Sequence, residues 1–345
     1  MGSLFEMPWL PDGGFFDSGI CNTMTIEILM AIGFCLAAYS IVGNDVPQTL
    51  GTFISSNAHR PWWLLWLYVS SILTAVLLYG WFASGVGDAS YGRLNTIPFP
   101  EDGVTWLYIV PPILLIILTK YGIPVSTTFL VLTIFSPSSL GSMLTKSMMG
   151  YAVAFIVAIV VYRFVIKQIS IHFSKTRHEP HSSIWVGLQW VSTAFLWSQW
   201  LIQDLANIFV YVPRAVPLWF LLFAISVFVV LLGIILYRRG GAIQNIIDTK
   251  TGVADIRSAT IIDFIYATIL LVFKEWSNIP MSTTWVFLGL LAGREFAMAM
   301  HLHEVNKYKT SRNVSKDAMK LMFGLVISIF LATTLPWFYH AVSGK

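Results

Sequence analysis

Gly43-Asn44-Asp45-Val46-Pro47-Gln48 interrupts an otherwise apolar run, and 79 residues after Asp45 the segment Pro124-Val125-Ser126-Thr127-Thr128 opens another. The pair returns in the second half. Gln203-Asp204-Leu205-Ala206-Asn207 is followed, 76 residues after Asp204, by Pro280-Met281-Ser282-Thr283-Thr284. An amide-carboxylate break and then a P-x-S-T-T segment, twice and at nearly constant spacing, read as an internal duplication. The boundary falls in the polar loop from Lys167 to Ser183.

The sequence around these motifs is lipid-like. Of 345 residues, 56% are hydrophobic and only 11% charged, against roughly 25% charged in soluble domains. Mean hydropathy is +0.72. Apolar segments run from about Thr25 to Val42, Trp62 to Ala83, Val104 to Thr119, Ser147 to Ile166, Ile184 to Ile202, Val216 to Tyr237, Ser258 to Phe273 and Ala318 to Tyr339. Several approach the roughly 20 residues needed to cross about 30 Å of hydrocarbon as helix. An all-α polytopic membrane protein follows, and a soluble enzyme is excluded. No nucleotide loop or nucleophilic triad is visible, so no enzymatic activity is expected. The net charge of +4 comes from Lys and Arg in short loops, which report topology rather than nucleic-acid binding. Cys21 and Cys35 support neither a disulfide framework nor a Cys-based metal cluster.

The expected organisation is an extracytoplasmic N-terminal segment (1–23), a first transmembrane repeat (24–166), a cytoplasmic linker (167–183) and a second repeat (184–340). Most loop cations fall on the cytoplasmic side if both termini lie outside a plasma (inner) membrane that the chain crosses several times. That orientation makes Val104 to Phe135 and Ser258 to Gly293 re-entrant hairpins. Two full crossings in place of either hairpin would keep the same parity. Three crossings per half is an odd number, so the halves are expected as inverted repeats with broken helices.

Pro suits the first turn of a helix, which predicts half-helices beginning at Pro124 and Pro280. Their free N–H groups, with the hydroxyls of Ser126, Thr127, Thr128, Ser282, Thr283 and Thr284, form a donor set suited to an oxyanion. One such segment alone is explained as well by hydroxyls bonding back to helix carbonyls. Its repetition favours a site. Asp45 and Asp204 are carboxylates deep in apolar sequence, accompanied by the amides of Asn44, Gln48, Gln203 and Asn207 and by no basic partner. Their charge therefore needs Na+ or a proton; the alternative is an interhelical hydrogen-bond network without ligand. Asp263 is a third carboxylate of this kind, without a counterpart in the first half. Lys120 and Lys274 either neutralise the anion from the hairpin tips or snorkel to water, and Lys274 has Glu275 as an alternative partner. The His178-Glu179-Pro180-His181 and His301-Leu302-His303-Glu304 stretches read as solvated loops, each without a third ligand at useful spacing.

These four motifs, in this order, resemble the inorganic phosphate transporter (PiT) family, which carries two copies of G-x-N-D-V-x-N and two of P-V-S-T-T; the resemblance spans essentially the whole chain. It implies a cation-coupled symporter importing inorganic phosphate by alternating access. The Ser and Thr residues of both P-x-S-T-T segments would hold the anion, and Asn44, Asp45, Asp204 and Asn207 would complete the site and bind the coupling cations. The sequence departs from the family pattern at Gln48 and Gln203, where Asn is usual, at Leu201 and Ile202, where Gly is usual, and at Phe129 and Trp285, where His commonly follows S-T-T. Sulfate or another small oxyanion is therefore a competing substrate, and an anion channel a competing mechanism. The expected partners are phosphate or a similar oxyanion and the lipid bilayer, not nucleic acid, and the plan allows a homodimer. No cofactor is expected beyond the coupling ion, Na+ or H+, and no metal beyond Na+ at Asp45 and Asp204.

Overall fold

The computed structural model describes residues 18–121, 123, 125–166, 183–241, 244, 256–301 and 307–343. Pro124, nearly all of the expected linker and N-terminal segment, His178, His181 and His303 lie outside the described residues. Among the described residues every regular element is helical. Six helical stretches are long and apolar enough to cross a membrane: Thr25–Ser56, Trp62–Ala83, Pro137–Phe164, Leu218–Tyr237, Ile256–Trp276 and Ala318–Phe338. Large apolar side chains such as Tyr79, Phe82, Val230 and Phe330 are more than 60% exposed on them. That is the surface of a protein solvated by lipid chains, and the chain is a multi-pass membrane protein.

The first half consists of α1 (Ser18–Ser56), α2 (Trp62–Ala83), a hairpin and α5 (Leu140–Val161). The descending arm of the hairpin is a 3-10 turn (Trp106–Ile109) leading into α3 (Val110–Lys120). The returning arm is a π-helical turn (Thr128–Leu132) leading into the short α4 (Thr133–Phe135). In the second half, α6 (Ser183–Asp204) passes through Leu205 into α7 (Ala206–Phe209). Then come α8 (Leu218–Tyr237), α9 (Ile256–Trp276), α10 (Thr283–His301) and α11 (Lys307–Ser343).

Contacts define two ends of the bundle. At one end the loop between α2 and the first hairpin meets the segment before α8, through Arg214 Nη2 donating to the Ile97 carbonyl at 2.7 Å and Val216 N–H donating to the Gly87 carbonyl at 3.1 Å. At the other end Arg239 Nη2 donates to the Arg60 carbonyl at 2.8 Å, and Asn57 Nδ2 to Gln189 Oε1 at 2.8 Å.

The polar stretch Gly43 to Gln48, expected to break its helix, leaves α1 continuous. Pro47 lacks the N–H that would bond the Gly43 carbonyl, and the neighbouring carbonyls gain side-chain donors instead. Gln48 Nε2 donates to Asn44 O at 2.9 Å and Thr49 Oγ1 to Asp45 O at 3.0 Å. The second copy is interrupted at Leu205.

The first hairpin enters and leaves at the same end of the bundle, its base closed by Tyr108 and Phe135 with ring centroids 4.4 Å apart. The second is deeper. At 21 residues, α9 is about 31 Å long at 1.5 Å per residue. The connection after it, Ser277 to Ile279, reaches the Arg93 loop at the far end. The second hairpin therefore has longer arms than the first, and its returning helix, α10, begins at the buried Thr283. Gly289 and Gly293 allow the close packing of α10 on α5. A Cβ on Gly289 would stand 2.5 Å from the Tyr151 carbonyl oxygen, and one on Gly293 would collide with the Phe155 carbonyl.

Candidate functional site

The two half-helices begin later than their prolines. Ser126 accepts the Phe129 N–H at 3.2 Å, and Ser282 accepts the Trp285 N–H at 3.3 Å. Each serine caps its helix from the position before the first turn, so α10 starts at Thr283 and not at Pro280. Pro280 lies in the non-helical stretch leading in. Capping uses an oxygen lone pair, so each serine keeps its O–H to donate.

Asp45 is held at 1% exposure by donors from two elements. Its Oδ1 accepts from Asn44 Nδ2 at 2.6 Å and, more distantly, from Gln48 Nε2 at 3.5 Å. Its Oδ2 accepts from Thr127 Oγ1 at 2.9 Å. Asn44 Nδ2 also donates to the Val125 carbonyl at 2.9 Å, which ties α1 to the tip of the first hairpin.

The second half closes on the same point. Asn207 Nδ2 donates to Asp204 Oδ1 at 2.9 Å, Thr127 Oγ1 at 3.1 Å and Thr128 Oγ1 at 3.3 Å. Thr128 Oγ1 donates to the Met281 carbonyl at 3.1 Å, and Thr284 Oγ1 to the Val125 carbonyl at 3.4 Å. The Thr283 hydroxyl lies beside Asp204. Four motifs separated by up to about 240 residues thus converge on one buried polar centre.

Four acceptor oxygens here have no hydrogen-bond partner among the described residues: Gln48 Oε1, Gln203 Oε1, Asp204 Oδ2 and Asn207 Oδ1. Buried polar atoms are nearly always paired. Unpaired carboxylate and amide oxygens are the ligand type of a hard cation, so the residues present fit Na+. Hydroxyl O–H groups and the N-terminus of α10 supply the opposite chemistry, suited to an oxyanion.

With this geometry in place, comparison with known proteins is informative. No family model matches the chain, and no curated protein matches it. A solved structure described as "The sodium-dependent phosphate transporter" superposes on 92% of this chain and 100% of its own, with TM-score 0.58 and 14% sequence identity. The fold is shared with that transporter. At this identity the likeness concerns architecture.

The structure brings together Asn44, Asp45, Thr127, Thr128, Asp204, Asn207, Thr283 and Thr284, with Ser126 and Ser282 capping beside them. The expected amides differ in use. Gln48 donates to its own helix, while Gln203 Nε2 donates to the Leu270 carbonyl at 2.9 Å, and each leaves its oxygen free. Asp263 lies apart from the centre. It accepts from Thr52 Oγ1 at 2.5 Å and Thr193 Oγ1 at 2.7 Å, joining α1, α6 and α9. Thr52 is seven residues beyond Asp45, about 10 Å along α1. Lys274 pairs outward with Glu275 at 2.6 Å, and Lys120 is exposed at the end of α3.

Sequence reasoning gave Asp204 no basic neighbour, and this is corrected. Arg93, fully buried, exerts its charge on Asp204. Burial lowers the Arg93 guanidinium to about 10 and Asp204 opposes the shift, so the group is a cation at neutral pH. Lys146, Ser147 and Tyr266 were also missed. Ser147 Oγ accepts the Ser282 N–H at 2.9 Å, and Tyr266 Oη donates to the Thr283 carbonyl at 3.0 Å, fixing the start of α10. Lys146 stands just before the apolar segment read from Ser147 and proves to be the seventh residue of α5.

Proposed function

We propose that the protein is a cation-coupled symporter that imports a small oxyanion, inorganic phosphate first among them, by alternating access. The observation carrying this reading is the cross-connection of the two halves: Asn207 from the second bonds Thr127 and Thr128 of the first, while Thr284 and Asn44 share the Val125 carbonyl. A centre assembled from both halves and buried from both ends is what rocking one half against the other would open alternately. The shared fold with a sodium-dependent phosphate transporter supports it. In this reading the halves are inverted repeats with both termini outside.

Asp45 and Asp204 are two carboxylates in one buried centre. A multivalent anion joins them only with cations, so Na+ or H+ and the anion bind with positive linkage. The open oxygens of Asp204, Asn207, Gln48 and Gln203 are the assigned cation ligands, and the Ser and Thr hydroxyls the assigned anion ligands. Asp263, which bridges three helices, is a further candidate for cation or proton binding.

Uptake by purified protein in liposomes tests the proposal, using phosphate, sulfate and other small oxyanions with and without Na+ and pH gradients. Phosphate accumulation above equilibrium under one gradient is expected. Preference for sulfate would change the substrate and leave the mechanism; flux that only equilibrates would make the protein a channel.

A further inference from the structure

Two basic side chains at the Arg93 end of the bundle converge on one backbone carbonyl. Arg93 Nη1 donates to the Ser277 carbonyl at 3.2 Å. Lys146 Nζ donates to the same oxygen at 2.6 Å and to the Ile279 carbonyl at 2.8 Å. Arg93 is fully buried, yet among the described residues its Nε and Nη2 have no hydrogen-bond partner. A guanidinium presents five N–H donors in a planar fork matched to oxyanions, and leaving most of them unpaired in the interior is costly.

The nearby carboxylates do not answer this need. Glu275, two residues from Ser277, is 64% exposed and paired with Lys274. Asp204 acts on Arg93 through its charge but makes no hydrogen bond to it, since Asp204 Oδ2 is itself unpartnered. When Lys146 is protonated, it and Arg93 also repel one another. A cleft of about 310 Å³ opens beside Lys146 and Ser277, lined also by Ser142, Thr145, Trp276 and Ile279, and Arg93 reaches its wall through the Ser277 carbonyl. The segment from Ser277 leads through Pro280 directly to Thr283 at the buried centre.

The geometry points to an outer oxyanion station at Arg93 and Lys146, reached through this cleft, in series with the centre at Thr127 and Thr283. It rests on the transporter reading above. The station takes a small tetrahedral oxyanion, phosphate or sulfate, from the Arg93 end and passes it along the Ser277 to Ser282 segment to the N-terminus of α10. The Arg93 charge selects for anions and, between turnovers, offsets Asp204.

Equilibrium binding of inorganic phosphate and of sulfate to the full chain in nanodiscs, with Na+ binding measured separately without anion, tests the station. Arg93→Gln and Lys146→Gln should each weaken binding of the preferred anion by about ten- to a hundredfold, the loss for a charge-assisted hydrogen bond. Arg93→Gln should at the same time tighten Na+ binding or leave it unchanged, because a positive charge near Asp204 has gone. A purely structural role would weaken both. Arg93→Lys should restore most of the anion affinity. If Arg93→Gln does not fold, Lys146→Gln, at the cleft, decides the matter. Anion affinity within about threefold of wild type in folded Lys146→Gln or Arg93→Gln, with Thr127→Val still losing it, would overturn the station and leave the transporter reading standing. Loss of anion and Na+ affinity together in Arg93→Gln would also overturn it. Wild-type protein that binds neither phosphate nor sulfate would end both.

Discussion

The two hairpins carry the same P-x-S-T-T chemistry on different frames. The first descends through a 3-10 turn and the 11 residues of α3, then returns through a π-helical turn and the three residues of α4. The second uses a 21-residue and a 19-residue helix. Its tip is held by Arg93 and Lys146 and its returning helix is packed on α5 through Gly289 and Gly293. At the first tip, Tyr121 is 75% exposed. What the two share is where the threonines arrive: Thr127 and Thr128 from one side, Thr283 and Thr284 from the other. Motif chemistry fixes the site, whereas helix length and packing fix which hairpin is anchored. π-helical turns recur at functional positions inside helices, and the first hairpin has the less regular frame.

The largest effect expected from this comparison is at the carboxylates. Both Asp45 oxygens are occupied by donors, whereas Asp204 has an open oxygen. Asp204→Asn should abolish gradient-driven accumulation in liposomes and remove most of the cation dependence of anion binding. Asp45→Asn should abolish accumulation too, while keeping more of that dependence. Equal retention of ion dependence and uptake in both would make the aspartates structural and move the search to Asp263.

Packing comes next. Gly293→Leu places a side chain against the Phe155 carbonyl, and overpacking of this kind costs roughly 1 to 3 kcal/mol or more. The variant should lower the melting temperature of the purified protein, whereas Gly141→Leu, at a position with open space around its Cβ, should not. If both melted alike, the close approach of α10 to α5 would not be what anchors the second hairpin.

The matched threonines give the third effect. Thr127→Val and Thr283→Val should each weaken anion binding by about ten- to a hundredfold, as expected for a buried donor meeting a charged oxygen. Thr133→Val, whose hydroxyl only bonds back to the Phe129 carbonyl within its own helix, should change it far less. Titration with inorganic phosphate separates these cases, and equal losses at Thr127 and Thr133 would remove the distinction between centre and helix interior. The smallest effect is at Lys274. Its exposed pair with Glu275 belongs to a class worth about 0 to 1 kcal/mol, so Lys274→Gln should leave phosphate affinity and stability nearly unchanged. A tenfold loss of affinity there would mean that the second tip binds through a different lysine.

How far these features were legible in sequence follows from what burial costs. A carboxylate or a cluster of amides in an apolar run is expensive unless it serves a purpose, so Asp45, Asp204, Asn44 and Asn207 announced themselves. Their repetition brought both S-T-T segments with them. Arg93 did not, because it sits in a loop of mixed polarity, where a basic residue looks the same whether it faces water or folds back beneath a neighbouring helix. The start of α10 was misplaced because the proline rule competes with serine capping, and Ser282 bonding the Trp285 N–H decides the outcome. The Gly43 to Gln48 stretch looked like a break because the side-chain donors of Gln48 and Thr49, which keep α1 continuous, are recognisable only once the helix is formed. Hairpin depth depends on Gly289 and Gly293 meeting the α5 backbone, a long-range contact with no local signature.

The central claim is that one centre, built by both halves, binds anion and cation together. Its most direct test is the affinity of purified wild-type protein for phosphate across Na+ concentrations and pH, paired with the affinity for the effective cation with and without phosphate. Linkage requires the two factors to be equal. The account predicts that phosphate affinity rises with Na+ or with H+, and that phosphate raises affinity for that same cation by the same factor. Phosphate binding that is indifferent to both Na+ and pH would contradict it.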